Sequence, residues 1–412
     1  MNFAVLKRNA LHMLGAQFSA ALFQGLQFIL IARALGAHDF GRMAGVLAIT
    51  SILLPFSGLG SGNVMVMRLA RQEAAAALCF GNALLVAAVS GGLLVALAAL
   101  LAPLFLRDPS LLGLVLLLGV SEVLMTKFID IASHVFYGLD RHALSGAFYC
   151  MQAGARLCAA LLFHTFFAHR GVEFWAAMHL ASGVVVALIV LWMTTARIGR
   201  PTLDVRLALR EIKVGVLFSI GLSANSVYTD IDKAVLARYE NPQINGQYTA
   251  AYRLVYMAFT PVMAVLLATQ GLFFRIGSES GVSATFRLAT RVAWLGAAYC
   301  IGLAVLLYAA SPLVVWALGA QYTLSVEILR TLALLPLALM AQSVFSEALT
   351  GADRQRARSF AQVTVALACF ALNMVLVPRL GWQGAVIATY CSQIGLAALV
   401  IGLIWVSVRG NA

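Results

Sequence analysis

Eight charged side chains lie near the middle of long apolar stretches of this chain, where a charge needs a partner or water. Four are acids and four are bases: Glu122, Lys127, Asp130 and Arg156 in the first half, and Asp230, Asp232, Lys233 and Arg253 in the second. Placing such a group at the centre of a bilayer costs roughly 3 kcal/mol, so it normally faces a partner, a wet cavity or a binding site. These residues are therefore the first candidates for chemistry.

The positions of these residues along the sequence predict partners across helical hairpins. Two residues at equal distance from a turn lie at similar depth on the two helices that the turn joins. Glu122 and Arg156 are nearly equidistant from a turn at Asp140, and Asp232 and Arg253 are equidistant from the turn after Glu240. We therefore expect each of these pairs to lie at one depth in the membrane.

Spacing within single helices predicts two further pairs, because residues three apart are neighbours on a helix. These pairs are Lys127 with Asp130 and Asp230 with Lys233. In one interpretation, all eight charges form structural salt bridges. In the other, they line a central cavity, where bases contact an anionic headgroup (Arg156, Lys127, Lys233 and Arg253) and acids couple a cation (Asp232, Asp230, Glu122 and Asp130). Elsewhere, Glu347 near the end of the tenth apolar stretch is expected to be solvated.

Composition indicates the elements that must position these charges. The chain has 412 residues, of which 62% are hydrophobic and 11% charged, and its mean hydropathy is +0.92. A water-soluble enzyme is excluded, and an all-α polytopic membrane protein is predicted. Twelve apolar stretches fill the chain: 10–35, 42–67, 75–105, 110–137, 143–168, 172–195, 214–238, 247–274, 284–310, 323–349, 359–377 and 382–407.

The distribution of basic residues predicts the orientation of these twelve spans. Of the 28 Lys and Arg residues, seventeen lie in segments on the side of the N-terminus and six in the opposite loops. Since Lys and Arg concentrate in cytoplasmic loops, both termini are expected to be cytoplasmic. The net charge of +12 therefore reflects orientation, and nucleic acid is not expected as a partner.

Matching turns indicate that the chain contains a repeat of six spans. Gly138-Leu139-Asp140-Arg141 corresponds to Gly351-Ala352-Asp353-Arg354, and Gly171 corresponds to Gly381. Because six is even, the two halves are parallel and related by a pseudo-twofold axis along the membrane normal. The predicted parts are an N-terminal lobe (1–196), a basic cytoplasmic linker (197–213) and a C-terminal lobe (214–412), and transporters built this way carry substrate between repeats.

Other motifs do not indicate catalysis. The histidines form no HxxxH pair, and no loop supplies a nucleophile with a base, so no metal site, catalytic residue or enzymatic activity is predicted. The run from Gly58 to Gly62 lacks the Lys-Ser/Thr of a nucleotide-binding loop. Because it lies beside Pro55 within an apolar span, it indicates helix flexibility or close packing.

Several segments resemble the polysaccharide flippases of the MATE/MOP superfamily, namely the O-antigen (Wzx-type) and exopolysaccharide exporters. Ile231-Asp232-Lys233 and the stretch from Gly246 to Leu254 resemble the signature of the seventh and eighth helices of this family. Ala32 to Gly36, Phe40-Gly41 and Gly58 to Arg68 are similar to its opening hairpins, and Gly381 to Ala385 also fits. The motifs are loose, but the resemblance extends over essentially the whole chain.

The resemblance implies two lobes that alternate between inward-open and outward-open states in the bacterial inner membrane. The implied cargo is a polyprenyl-diphosphate-linked oligosaccharide, moved from the cytoplasmic to the periplasmic leaflet. Asp232, Lys233 and Arg253 match family positions, whereas Arg156 and Lys127 match only the habit of placing bases in the cavity. No cofactor is implied beyond H⁺ or Na⁺ coupling. The implied partners are the lipid-linked substrate, the bilayer and other membrane proteins of polysaccharide assembly.

Two alternatives remain open at this point. One is a membrane enzyme of polysaccharide assembly, such as a polymerase or lipid-sugar transferase, although the predicted loops are short for such an enzyme. The other is a MATE-like exporter of small molecules, although the first span has Gln24 and Gln27 and no mid-span carboxylate.

Overall fold

The computed structural model describes residues 3–409, and it describes the side chains of residues 15–408 except those at 217, 218, 221 and 268. The described chain is almost entirely helical and contains no strand. This confirms the prediction of an all-α membrane protein.

Fourteen α-helices follow one another through the described residues. In the first part of the chain they are α1 (Phe3–Leu53), α2 (Ser61–Ala70), α3 (Ala76–Phe105), α4 (Leu112–Gly119), α5 (Thr126–Gly138), α6 (His142–Leu162) and α7 (Gly171–Ile198). In the second part they are α8 (Val205–Tyr239), α9 (Pro242–Ala310), α10 (Leu313–Leu318), α11 (Thr323–Leu332), α12 (Leu335–Gly351), α13 (Gln355–Leu380) and α14 (Trp382–Arg409).

Eight helical segments of the described chain are long and apolar enough to cross a membrane, or nine if the bent pair α11–α12 forms one span. Two of these segments, Gly15–Ala70 and His142–Ile198, contain 56 and 57 residues. At 1.5 Å per residue each is about 84 Å long, far more than the roughly 30 Å of a hydrocarbon core. Gly36 and Gly171 interrupt them with positive φ angles of 70° and 79°. Twelve crossings remain a prediction.

The chain divides into two compact units, residues 1–223 and 224–412. In the first unit α1 packs against α6 and α2 against α5, around a core that includes the edge-to-face pair Phe136 and Phe148. In the second unit α9 packs against α12, and α13 against α14. The division lies within α8, C-terminal to the predicted linker.

The matched turns of the two halves have the same backbone geometry. Asp140 and Asp353 both have positive φ, at 57° and 59°. The next residue donates its backbone N–H to a carbonyl five residues earlier, Arg141 to Phe136 at 2.7 Å and Arg354 to Leu349 at 2.9 Å. The repeated sequence therefore encodes a repeated helix–turn–helix connection.

The glycine-rich run interrupts the predicted second span. Gly58, Leu59 and Gly60 all have positive φ, and α2 begins immediately after them. A Cβ atom at Gly60 would overlap the backbone carbonyl of Gly215 in α8. Close packing, one of the two predicted explanations, is therefore confirmed at this position.

The basic linker packs on the first unit. The backbone N–H of Asp204 donates to Asn82 Oδ1 at 2.9 Å, and its carboxylate accepts from the N–H of Leu207 at 3.0 Å, in the first turn of α8. Glu211 is buried and forms an ion pair with Arg68 at 3.2 Å. Residues 205–213 thus belong to a helix that is attached to the first unit.

Candidate functional site

The first ionic cluster of unit 1 centres on Glu122. This residue lies in a π-helical stretch, Val120–Met125, between α4 and α5, and such insertions often mark functional positions. Glu122 Oε1 accepts from Arg156 at 2.8 Å and lies 2.7 Å from His179 Nε2. Arg156 also donates to Thr126 Oγ1 at 2.9 Å. The predicted proximity of Glu122 and Arg156 is confirmed.

A second cluster of unit 1 is built around Asp130 in α5. Lys127 Nζ donates to its carboxylate at 2.9 Å, which confirms the predicted pair, and Tyr149 donates its hydroxyl at 2.7 Å. His134 Nδ1 lies 3.2 Å from the same carboxylate. The Lys127 and Asp130 side chains remain 16% and 23% exposed, so the rest of the protein does not enclose them completely.

The cluster of unit 2 is the most deeply buried of the three. Lys233 Nζ lies 3.0 Å from Asp232 and 3.3 Å from Asp230, which confirms the second i,i+3 pair, and its side chain is 7% exposed. The ammonium also donates to the Thr229 carbonyl and lies 3.7 Å from the centroid of the Tyr252 ring. Two carboxylates, a carbonyl and an aromatic face therefore stabilise one buried cation.

Asp232 has partners that the sequence did not predict. Besides Lys233, its carboxylate accepts a hydrogen bond from Tyr248 at 2.6 Å and another from Thr389 at 3.4 Å. Asp232 is 2% exposed, whereas the Arg253 side chain is exposed on α9. Groups on α8, α9 and α14 therefore surround the acid, and its expected proximity to Arg253 remains a prediction.

Sequence reasoning missed the uncharged and weakly basic members of these clusters. They are His134, Tyr149 and His179 in unit 1, and Tyr248 and Thr389 in unit 2. Metal-ligand spacing does not reveal these histidines, but a histidine within an apolar span is itself a signal of a buried hydrogen-bond network. Among the described residues, no group of three or more His, Cys, Asp or Glu side chains could hold a metal ion.

Unit 2 also contains a cavity of about 410 Å³ between α8, α9, α12 and α13. Its charged residues within the described chain are Glu347 and Arg358, which pair at 3.1 Å. Glu347 was expected to be solvated, but its side chain is 15% exposed and also lies 3.4 Å from Gln270 Nε2. The expectation failed because Arg358, in the first turns of α13, folds back onto the acid.

Comparison with solved structures shows which fold this is. The chain is similar to an inward-facing multidrug-resistance MATE transporter of the MOP superfamily (TM-score 0.73, 14% identity, 97% of this chain and 98% of the other). It is also similar to the lipid II flippase MurJ in an inward closed conformation (TM-score 0.75, 12% identity, 95% of this chain and 87% of the other). A third similar structure is a MOP-superfamily transporter from Pyrococcus furiosus (TM-score 0.64, 15% identity, 98% of this chain and 95% of the other).

Sequence comparison adds the family. No curated protein matches the chain significantly. The profile of a family described as polysaccharide biosynthesis protein matches residues 6–273. The match covers the first unit from residue 6 onward, and it covers the members of the Asp232 cluster that lie on α8 and α9, as far as Tyr252. The predicted MATE/MOP-like fold is thus confirmed, and the chain belongs to the polysaccharide biosynthesis protein family.

Proposed function

We propose that this protein is a flippase that moves a polyprenyl-diphosphate-linked oligosaccharide, an O-antigen or exopolysaccharide repeat unit, from the cytoplasmic to the periplasmic leaflet. The family match over residues 6–273 carries the proposal. The fold supports it, because the similar structures include a lipid II flippase. The proposed setting is the bacterial inner membrane, with twelve crossings, cytoplasmic termini and lobes at 1–196 and 214–412 that alternate in access.

The physical need for such a protein follows from the cargo. A diphosphate-sugar headgroup cannot cross hydrocarbon without large desolvation penalties. Basic side chains form strong, charge-assisted hydrogen bonds with phosphate oxygens. Arg156 and Lys127 are 15% and 16% exposed, and Arg253 is exposed. We assign the phosphate contacts to these three bases first, and to the less accessible Lys233 second.

The carboxylates supply the proposed cation coupling. Glu122, Asp130 and Asp232 each form an ion pair with a basic side chain. Asp230 forms an ion pair with Lys233, the same lysine that contacts Asp232. A proton or Na⁺ that binds to one of these carboxylates would weaken its hold on the base, and the freed base could then contact phosphate. Cation binding and cargo binding would thereby be linked.

A deletion strain tests the proposal. We expect loss of surface glycan and accumulation of lipid-linked repeat units on the cytoplasmic side, both restored by the wild-type chain. Single repeats already exported to the periplasm would contradict the proposal and indicate a polymerase. Normal glycan with increased sensitivity to toxic compounds would contradict it in favour of a small-molecule exporter.

A further inference from the structure

The cavity in unit 2 has a lining that combines apolar and polar side chains and carries no net charge. Its charged residues within the described chain, Glu347 and Arg358, neutralise each other at 3.1 Å. With one base and one acid in contact, the lining has no net charge to match either the negative charge of a diphosphate or the positive charge of an organic cation. The lining therefore favours an uncharged ligand.

Four carboxamide side chains face this cavity, namely Asn225, Gln270, Gln342 and Gln362. Each carboxamide has two N–H donors and an acceptor oxygen. The bonds within the lining use only part of this capacity: Gln342 donates to Ser343 at 2.9 Å, Asn225 accepts from Tyr228 at 2.6 Å, and Gln270 donates to Glu347 at 3.4 Å. A ligand with many hydroxyl groups, each both donor and acceptor, matches this set.

Aromatic rings complete the lining. Tyr228, Tyr256 and Phe259 line the same cavity, and aromatic side chains offer flat apolar faces with, in tyrosine, a polar end. The C–H face of a sugar ring packs against such a surface while its hydroxyls bond to amides. The volume of about 410 Å³ is near the low end of the roughly 300–1,000 Å³ of small-molecule sites. It suits a small sugar.

The cavity adjoins the buried Lys233 cluster. Thr229, whose carbonyl accepts from Lys233, is part of the cavity wall. Tyr256 stacks on Tyr252 at 4.9 Å between centroids, and Tyr252 is the ring beneath the Lys233 ammonium. A ligand in the cavity therefore lies one layer of side chains away from the charged group.

We infer that this cavity is a subsite for an uncharged sugar residue of the transported glycan, distinct from the bases assigned to the diphosphate. This inference rests on the proposed function and names the part of the cargo that unit 2 recognises. The Glu347–Arg358 pair lies next to the Gly351–Arg354 turn, on the predicted cytoplasmic side from which the cargo enters. Sugar recognition would thus occur where the substrate is loaded.

Binding of free sugars to the purified full-length protein tests this directly. The protein is placed in lipid nanodiscs free of glycoside detergents, and its unfolding midpoint is followed by tryptophan fluorescence. The probes are a panel of neutral hexoses, N-acetylhexosamines and their disaccharides, with inorganic pyrophosphate and rhodamine 6G as competitors. We expect one or more sugars to raise the midpoint at millimolar concentration, and neither competitor to displace them.

Two variants place the binding in the cavity. Gln342→Ala removes one hydrogen-bonding side chain and is expected to weaken sugar binding about fivefold. Thr260→Trp fills the cavity and is expected to abolish binding. The matched controls are Gln243→Ala at the start of α9 and Leu295→Trp, whose side chain is 78% exposed. Both controls should bind sugar like the wild type.

The inference is overturned if no sugar in the panel shifts the wild type, if pyrophosphate or rhodamine 6G displaces the bound sugar, or if Thr260→Trp binds sugar normally. Glycan export by a strain carrying Thr260→Trp separates the two claims. Normal export by this strain would reject the subsite and leave the flippase intact. Normal export by the deletion strain would reject the flippase itself.

Discussion

The buried Lys233 shows how single residues determine whether charge is tolerated in this protein. Its ammonium is shared by Asp232 and Asp230, and these contacts lie in a region that water hardly reaches. Removing one member of a buried pair leaves an uncompensated charge, which typically destabilises a protein more than loss of the whole pair.

Lys233→Met should therefore destabilise the protein by about 3–5 kcal/mol. The double variant Asp232→Asn/Lys233→Met should recover part of this loss, because it also neutralises the buried Asp232 carboxylate, which would otherwise lose its contact with Lys233. Thermal unfolding in nanodiscs measures both. Arg71→Gln is the control, since the Arg71–Glu73 pair is 64% and 45% exposed and should contribute less than about 1 kcal/mol. Equal effects of Lys233→Met and Arg71→Gln would contradict the assignment.

Glu211, in the linker, gives a pH-dependent prediction outside the membrane spans. Burial raises the pKa of this carboxyl above its ordinary value of 4.5, with a smaller opposing effect from Arg68. A raised pKa means that the folded state stabilises the protonated form of Glu211 relative to its ionised form. This contribution to stability is complete below pH 4.5 and is lost as the pH rises through the folded-state pKa.

We therefore expect Glu211→Gln to unfold at the same temperature as the wild type near pH 4 and at a higher temperature near pH 8. Unfolding midpoints across this range check the prediction. A variant that is less stable than the wild type at pH 8 would mean that the ion pair with Arg68 outweighs the burial of the acid.

The sequence predicted the charged pairs of the site better than their surroundings. Glu122 and Arg156 were found because a short turn fixes the depth of both residues. For Asp232 the same argument gives a depth but not the partners Tyr248 and Thr389, since depth does not determine which face of a helix a side chain occupies. Tyr248 was missed because a tyrosine in an apolar span is equally consistent with a purely packing role. Only the tertiary contacts reveal its hydrogen bond to Asp232.

At the scale of elements, close approach of backbones places α8 against the segment before α2. A Cβ atom at Gly215 would overlap the carbonyl oxygen of Leu59. Gly215→Ala should therefore force the two segments apart and cost about 1–3 kcal/mol. Unfolding midpoints provide the measurement.

Gly92→Ala is the matched control within α3. Nothing lies within 4 Å of a Cβ atom at this position, so the substitution should be neutral or stabilise the helix by up to about 1 kcal/mol. If both alanine variants behaved alike, the proposed close contact of Gly215 would not exist in the folded protein.

Element boundaries were predictable where the sequence changes character abruptly. The Asp140 and Asp353 turns were located because glycine, aspartate and arginine occur there in the same order. The break at Gly60 was not predicted, because a hydrophobicity pattern cannot distinguish a continuous helix from one interrupted by a tight turn. The interruption depends on the fit of Gly60 against Gly215, which is a tertiary contact.

For the whole molecule, the arrangement of crossings is the first quantity to measure. Twelve crossings with cytoplasmic termini place the matched Arg141 and Arg354 turns in the cytoplasm, and the matched Gly171 and Gly381 turns in the periplasm. Fusions to a cytoplasm-active fluorescent protein and to periplasm-active alkaline phosphatase at these four positions report the side directly. An odd number of crossings between any matched pair of turns would contradict the parallel repeat.

Reconstitution into liposomes tests the central claim, that the protein carries a lipid-linked glycan across the bilayer. Purified protein is combined with a fluorescent polyprenyl-diphosphate oligosaccharide, and a membrane-impermeant quencher measures the fraction of probe in the outer leaflet. We predict that vesicles with the wild-type protein expose nearly all of the probe over time, and that Arg156→Gln slows this exposure. A quenched fraction equal to that of protein-free vesicles, in protein shown to be folded, would contradict the account.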